Sequence, residues 1–308
     1  MDHVLRLLVQ DADLRVLAVT STDLAREASR RHICAPSAGL VLGEALTAAL
    51  LLSRLLKEPR RVMLQIECDG PIKGLMLDAD ADAEGGVRGF PRVPSVTFPS
   101  AQGPLTQPAY GSRMLLNVMQ ELSRGEWYRG SIEHSGRSLA RAVEDYLLTS
   151  VQLESVVSLH AHPGAGGEIA ACTGMLFQRL PTSNPAALEA VRARVREGFV
   201  PTYVGELLRA GETVSVGTVL DELMGGPEGK GGDNLSLLER SEVHFQCDCS
   251  RERMLAALTT LGDEDLREMI EAGEVAEVTC DFCREQYRVP PQELAELRAF
   301  LSHGPGED

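Results

Sequence analysis

Val4–Val9 and Arg15–Thr20 are two short apolar, Val- and Leu-rich runs separated by the mainly polar stretch 10–14, a pattern that predicts a β-hairpin, with a helix starting near Ser21–Thr22. Leu40–Leu56 is a long apolar run that also contains Glu44, Ser53 and Arg54. It is short for a comfortable bilayer crossing and predicts a buried helix. Strands are expected at Arg61–Cys68 and Lys73–Asp78, joined by the turn Asp69-Gly70-Pro71, and at Trp127–Glu133. Over Ser138–Ser150 the period lengthens to that of a helix, with Leu139, Ala142, Val143, Tyr146 and Leu147 on one face. Val156–His160 and Cys172–Gln178 return to a strand pattern on either side of Pro163-Gly164-Ala165-Gly166-Gly167. The irregular order of strands and helices argues against a doubly wound sheet.

From Pro181 the pattern changes to short helices, roughly Pro185–Glu197, Pro201–Arg209 and Ser215–Met224, the first two with proline in the first turn. GGPEGKGGDN, residues 225–234, follows as a flexible linker or loop. It is not a phosphate-binding loop, because Lys230 is followed by glycine rather than Ser or Thr and the glycines are too closely spaced. The last segment is a compact unit. Val243 and Phe245 lead into a cysteine pair, Ser250 can cap a helix through Leu258, and Asp263 can cap another through about Glu271. Residues 274–280 and Tyr287–Val289 are strand candidates, and Pro290-Pro291 open a closing helix with Leu294, Leu297 and Leu301 on one face. The fold class is α+β, in three parts. Residues 1–180 form a mixed α/β, sandwich-like core domain. Residues 181–240 form a helical linker with the Gly-rich segment, and residues 241–308 form a small four-cysteine zinc domain.

Composition narrows the function. The chain has 308 residues, 44% apolar and 24% charged, as an ordinary soluble protein does. The N-terminus lacks the basic, apolar and small-residue sections of a signal peptide, so a cytoplasmic location with reduced thiols is expected. Net charge is −15, of which −10 falls in residues 241–308, where 16 acidic residues face 6 arginines and there is no lysine. So acidic a surface repels phosphate backbones, and one Trp supplies no base-stacking platform. Neither nucleic acid nor membrane is an expected partner. No G-x-S-x-G, H-E-x-x-H or G-x-G-x-x-G motif between a strand and a helix marks an enzyme.

Seven cysteines occur. Cys34, Cys68 and Cys172 are isolated, and free cysteines are usually small buried hydrophobes. The other four form C-x-C, Cys247 and Cys249, then thirty residues, then C-x-x-C, Cys280 and Cys283. Four thiols in two tight pairs suggest a tetrahedral metal site before disulfides, with zinc the natural ion and a rubredoxin-type iron the alternative. His244 could compete as a ligand, but four thiolates already complete a tetrahedron. His160 and His162 lack a third ligand and read as surface or turn residues. A small domain with few aromatics is marginal on its own core, so loss of the metal should unfold it. Thiolates are also what oxidants attack, and the close spacing of Cys247 and Cys249 permits a strained, reversible disulfide.

"CDCSRERM" at 247–254, "LGDEDLREMIEAGE" at 261–274 and "CDFCREQY" at 280–287 closely resemble the redox domain of the 33 kDa redox-regulated heat-shock chaperone family, heat-shock protein 33. The resemblance extends to "DGPIKGLMLDADADAEGGVRG" at 69–89, "YRGSIEHSGRSLARAVEDYLLTSVQL" at 128–153 and "GMLFQRLP" at 174–181, nearly the whole chain. It implies an ATP-independent holdase, not an enzyme. The reduced form holds one Zn2+ per chain on Cys247, Cys249, Cys280 and Cys283 and is inactive. Oxidation joins Cys247 to Cys249 and Cys280 to Cys283, releases zinc, unfolds the C-terminal region and gives a homodimer that binds unfolding or aggregation-prone client proteins. Residues 225–234 look like an insertion relative to the family, and Cys68 stands where a glycine is expected. The rival readings are a zinc-ribbon nucleic-acid module and a thiol–disulfide oxidoreductase using Cys280 and Cys283.

Overall fold

The computed structural model describes residues 1–55, 61–80, 86–98, 106–123, 125–181, 184–225 and 235–303. They divide into two units, Met1–Gln246 and Cys247–Asp308. The first is built around α2 (Pro36–Leu55), whose side chains are all buried from Ala38 to Leu55. By length and composition α2 could cross a membrane, yet it lies wholly inside the protein. An all-round apolar helix needs protein on every side, and two sheets supply it.

Sheet A joins β10 (Leu235–Glu242), β1 (His3–Val9), β2 (Leu14–Thr20), β9 (Ile169–Arg179) and β8 (Ser155–Pro163), in that order and all antiparallel. Sheet B runs β11 (His244–Phe245), β5 (Gly86–Pro91), β4 (Gly74–Ala79), β3 (Val62–Cys68), β6 (Met114–Ser123) and β7 (Glu126–His134), with only the β11–β5 pair parallel. Leu17, Val19 and Leu176 from sheet A and Leu64, Leu77 and Val118 from sheet B close on α2 in one core. Alternation sends Val16, Ala18, Met175 and Phe177 to the opposite face of sheet A. There they pack under α5 (Pro185–Arg196), α6 (Phe199–Arg209) and α7 (Val216–Gly225). α1 (Thr22–Arg31) follows the first hairpin, α3 (Gln107–Tyr110) is one turn, and α4 (Leu139–Ser150) buries the five apolar residues expected of it.

The sandwich-like α+β core is thus present, and the expected strands and helices occur with small shifts at their ends. β5 and β6 had no sequence-based expectation. β10 spans the expected boundary at 240/241 and pairs with β1, so it lies in the first unit together with the three short helices. Its pattern is weak, because an edge strand leaves Leu237 and Leu238 exposed. Of the Gly-rich segment only Gly225 is described, as the last residue of α7. His160 and His162 are corrected: they are half-buried on β8 rather than plain surface or turn residues.

The second unit comprises α8 (Arg251–Leu258), α9 (Asp263–Ala272), β12 (Ala276–Thr279), β13 (Gln286–Val289) and α10 (Pro291–His303). Ser250 caps α8 by accepting from the Arg253 amide. The cap of α9 is Gly262, and Asp263 instead accepts from Arg298 on α10 at 2.6 Å. The core of this unit is Leu258, Leu266, Val289 and Leu294, with six half-buried neighbours. That is little apolar burial for so many ordered residues.

Candidate metal centre

Cys247 and Cys249 lie in the extended stretch that Ser250 ends by starting α8. Cys280 and Cys283 lie in the turn between β12 and β13, which pair antiparallel. The turn closes through Cys280 N–H to Glu285 O at 2.9 Å and Arg284 N–H to Cys280 O at 2.9 Å, with Arg284 in the left-handed region at φ 64°. Arg251 of α8 donates to Arg288 O at 2.9 Å and to the Glu293 carboxylate, tying the α8 end to the β13 and α10 side. These local devices bring two cysteine pairs, distant in sequence, to one place.

All four sulfurs lie within 4.8 Å of one another. Sulfurs of the two pairs meet, with Cys247 3.8 Å from Cys280 and Cys249 3.3 Å from Cys283. None of the four is in a disulfide, and Cys280 and Cys283 are buried while Cys247 and Cys249 are half-buried. A tetrahedral zinc with Zn–S bonds of about 2.3 Å requires sulfurs about 3.8 Å apart. The cluster is therefore positioned to hold a metal ion, and it is the one such group among the described residues.

Tyr287 was not singled out by sequence. Its hydroxyl donates to Cys249 Sγ at 3.1 Å. Its only sequence signal is its place four residues after Cys283, on a strand beginning where the turn ends. Burial pushes the Cys249 thiol up, but hydrogen bonds from Tyr287 and the neighbouring thiols outweigh it and hold the group below its ordinary value. Burial raises the Cys283 thiol strongly.

The remaining candidates lie elsewhere. His244 is on β11 in the first unit, within 3.2 Å of Gln246 Oε1. Cys172 is buried beside Thr47, and burial pushes its thiol up to about 11. Cys34 is likewise raised to about 11, and Cys68 is raised, also by burial. Such thiols are poor nucleophiles and act as packing. His160 and His162 stand with ring centroids 6.2 Å apart, and burial lowers His160 to about 3.

The family model described as Hsp33 protein matches residues 2–290. The 33 kDa chaperonin of Geobacter sulfurreducens is 33% identical over 302 residues, covering 98% of this chain and 96% of the relative. That of Acaryochloris marina is 34% identical over 303 residues, covering 96% of each. The crystal structure of the 33 kDa chaperonin of Thermotoga maritima superposes with a TM-score of 0.80 at 24% identity, over 98% of this chain and 99% of that one. A whole-chain match, a shared fold and a four-thiol cluster at the C-terminal end together establish that this chain belongs to the Hsp33 family of chaperones.

Proposed function

We propose that this chain is an ATP-independent holdase of the cytoplasm, inactive while its four thiols are reduced and switched on by oxidation. The observation that carries the reading is the convergence of Cys247, Cys249, Cys280 and Cys283 within 4.8 Å, in a unit whose own apolar core is small. In the reduced state these residues would hold one zinc ion, which when bound contributes on the order of 10–16 kcal/mol to folding of such a site. Iron fits the same donor set, and metal analysis separates the two. One peroxide takes two electrons from each pair of thiolates, Cys247 with Cys249 and Cys280 with Cys283, and with two protons from solvent leaves a disulfide and two waters. With its thiolates consumed, the second unit loses the tie between its turn and its first helix and unfolds. The helical segment 181–240 responds, apolar surface opens, the chain dimerises, and unfolding client proteins are held.

The test treats zinc-loaded full-length protein with peroxide at mildly unfolding temperature. It follows zinc release, protease sensitivity beyond residue 246, and aggregation of a heat-denatured client. Zinc is expected to leave in step with new cleavage and with suppressed aggregation. Zinc release with unchanged client aggregation would sink the chaperone reading and leave the metal site standing. Turnover in insulin reduction would favour an oxidoreductase instead, and salt-dependent nucleic-acid binding a zinc-ribbon module.

A further inference from the structure

A cavity of about 740 Å3 in the first unit is lined by every residue from Val156 to His162 of β8, together with residues of α2, α4 and α6. Consecutive strand residues point to opposite faces of a sheet. A cavity that touches all seven therefore runs along the strand's edge. β8 is the last strand of sheet A, and β9 bonds only its other side.

The phase of the free edge follows from two bonds. Val157 N–H donates to Glu144 Oε1 of α4 at 2.9 Å, so the carboxylate stands where a neighbouring strand would place a carbonyl. Arg179 N–H of β9 donates to Glu154 O at 3.2 Å, which fixes the even-numbered residues as those facing β9. Leu159 and Ala161 therefore aim their N–H and C=O groups outward, and no described group accepts from either amide. Both are buried, at 4% and 7% exposure. Three buried side-chain atoms lining the same cavity also lack partners: Glu44 Oε2, Ser158 Oγ and His162 Nε2. Buried polar groups without partners cost free energy that a ligand can recover.

We propose that the edge of β8 is a strand-addition site for an extended peptide segment. Its backbone pairs with Leu159 and Ala161, and its side chains are hydroxyl- or amide-bearing, or β-branched. The backbone supplies the alternating donors and acceptors that the edge lacks, as in other β-augmentation sites. Alternate side chains fall toward Glu44 on one face and toward Ser158 and His162 on the other, where a hydroxyl or amide satisfies each orphaned atom. Arg141 and Glu144 line the same cavity with opposite charges, so no net charge is selected. The proposal rests on the holdase reading for the source of the peptide, an unfolding polypeptide, and gives that reading a contact site.

The test titrates a fluorescein-labelled ten-residue peptide of alternating Thr and Val into the full-length, peroxide-oxidised chain, with the reduced, zinc-loaded chain as the inactive comparison and amide hydrogen exchange read on the same samples. Saturable binding is expected in the oxidised chain, with exchange at Leu159 and Ala161 slowed at least about tenfold, and no comparable binding in the reduced one. Ala161→Pro removes one outward N–H and leaves the β9 ladder intact, as edge prolines do. It is expected to weaken binding at least about tenfold. Ala140→Trp, which narrows the cavity from α4, serves the same purpose if the proline variant fails to fold. No binding at millimolar peptide, or binding without protection of these two amides, overturns the site. If the oxidised chain still suppresses client aggregation in that case, the holdase reading stands without it. Protection of both amides without aggregation suppression leaves the site and removes the holdase reading.

Discussion

At the scale of single residues, the reactivity of the cluster depends on which sulfur is exposed and which is bonded. Cys249 is half-buried and accepts from Tyr287 at 3.1 Å, whereas Cys283 is buried. A hydrogen bond to a thiolate withdraws charge from sulfur and slows its attack on electrophiles, as donors near metal-bound ligands generally do. Tyr287→Phe is therefore expected to raise the alkylation rate of Cys249 in zinc-loaded protein about threefold, a modest effect in keeping with one hydrogen bond. Peptide mapping after timed iodoacetamide treatment measures it, and an unchanged rate would show that the tyrosine only packs. Spacing alone makes the four cysteines legible. Tyr287 is not legible in that way, because a tyrosine on a short strand has many uses and only the turn's conformation aims it at sulfur.

Among the elements, a close approach that tolerates no side chain lies where α2 meets β9. A Cβ on Gly174 would stand 2.3 Å from Thr47 Cγ2, so the strand and helix approach as closely as they do because residue 174 has no side chain. Gly174→Ala must push α2 away from sheet A or force Thr47 off its rotamer. It is expected to destabilise the first unit by about 1–3 kcal/mol, the usual cost of overpacking. Urea unfolding followed by Trp127 fluorescence reads this, and full native stability would mean that the helix shifts freely. The apolar run of α2 predicts its burial. What covers it is beyond local pattern, since strands from residues 3 to 20, 62 to 118 and 155 to 179 all contribute.

Across the whole molecule, the first unit carries a buried acid. Burial pushes Glu44 from the ordinary 4.5 up to about 7, against a hydrogen bond from Thr106. The folded state then binds a proton that the unfolded state has released between these values. Stability from this group is complete below about 4.5 and is lost as pH rises through about 7. His160, whose folded value burial lowers, acts in the opposite sense and costs stability as pH falls below its unfolded value. Comparing Glu44→Gln with the unchanged chain isolates the acid. The variant is expected to gain relative stability from pH 5 to pH 8, by up to about 3 kcal/mol for a shift of this size. Denaturant midpoints at the two pH values test it, and a pH-independent difference would mean that Glu44 is ionised in the folded chain.

Near neighbours along the chain suffice to make the first hairpin, the buried helix, the amphipathic α4, the Ser250 cap and the paired thiols legible, whereas the expected Asp263 cap gave way to Gly262. Periods of 2 and 3.6 and turn chemistry act over a few residues, so a linear reading reaches them. Tertiary structure alone decided that β10 returns to β1, that β11 joins β5, and that the two cysteine pairs approach across rather than along the chain. Those arrangements depend on contacts between residues far apart in sequence, and the strands involved are short or exposed edges with little pattern of their own. The free edge of β8 belongs to the same class. Val156–His160 reads as a strand in any case, but only the assembled sheet shows that one side of β8 has no neighbouring strand among the described residues.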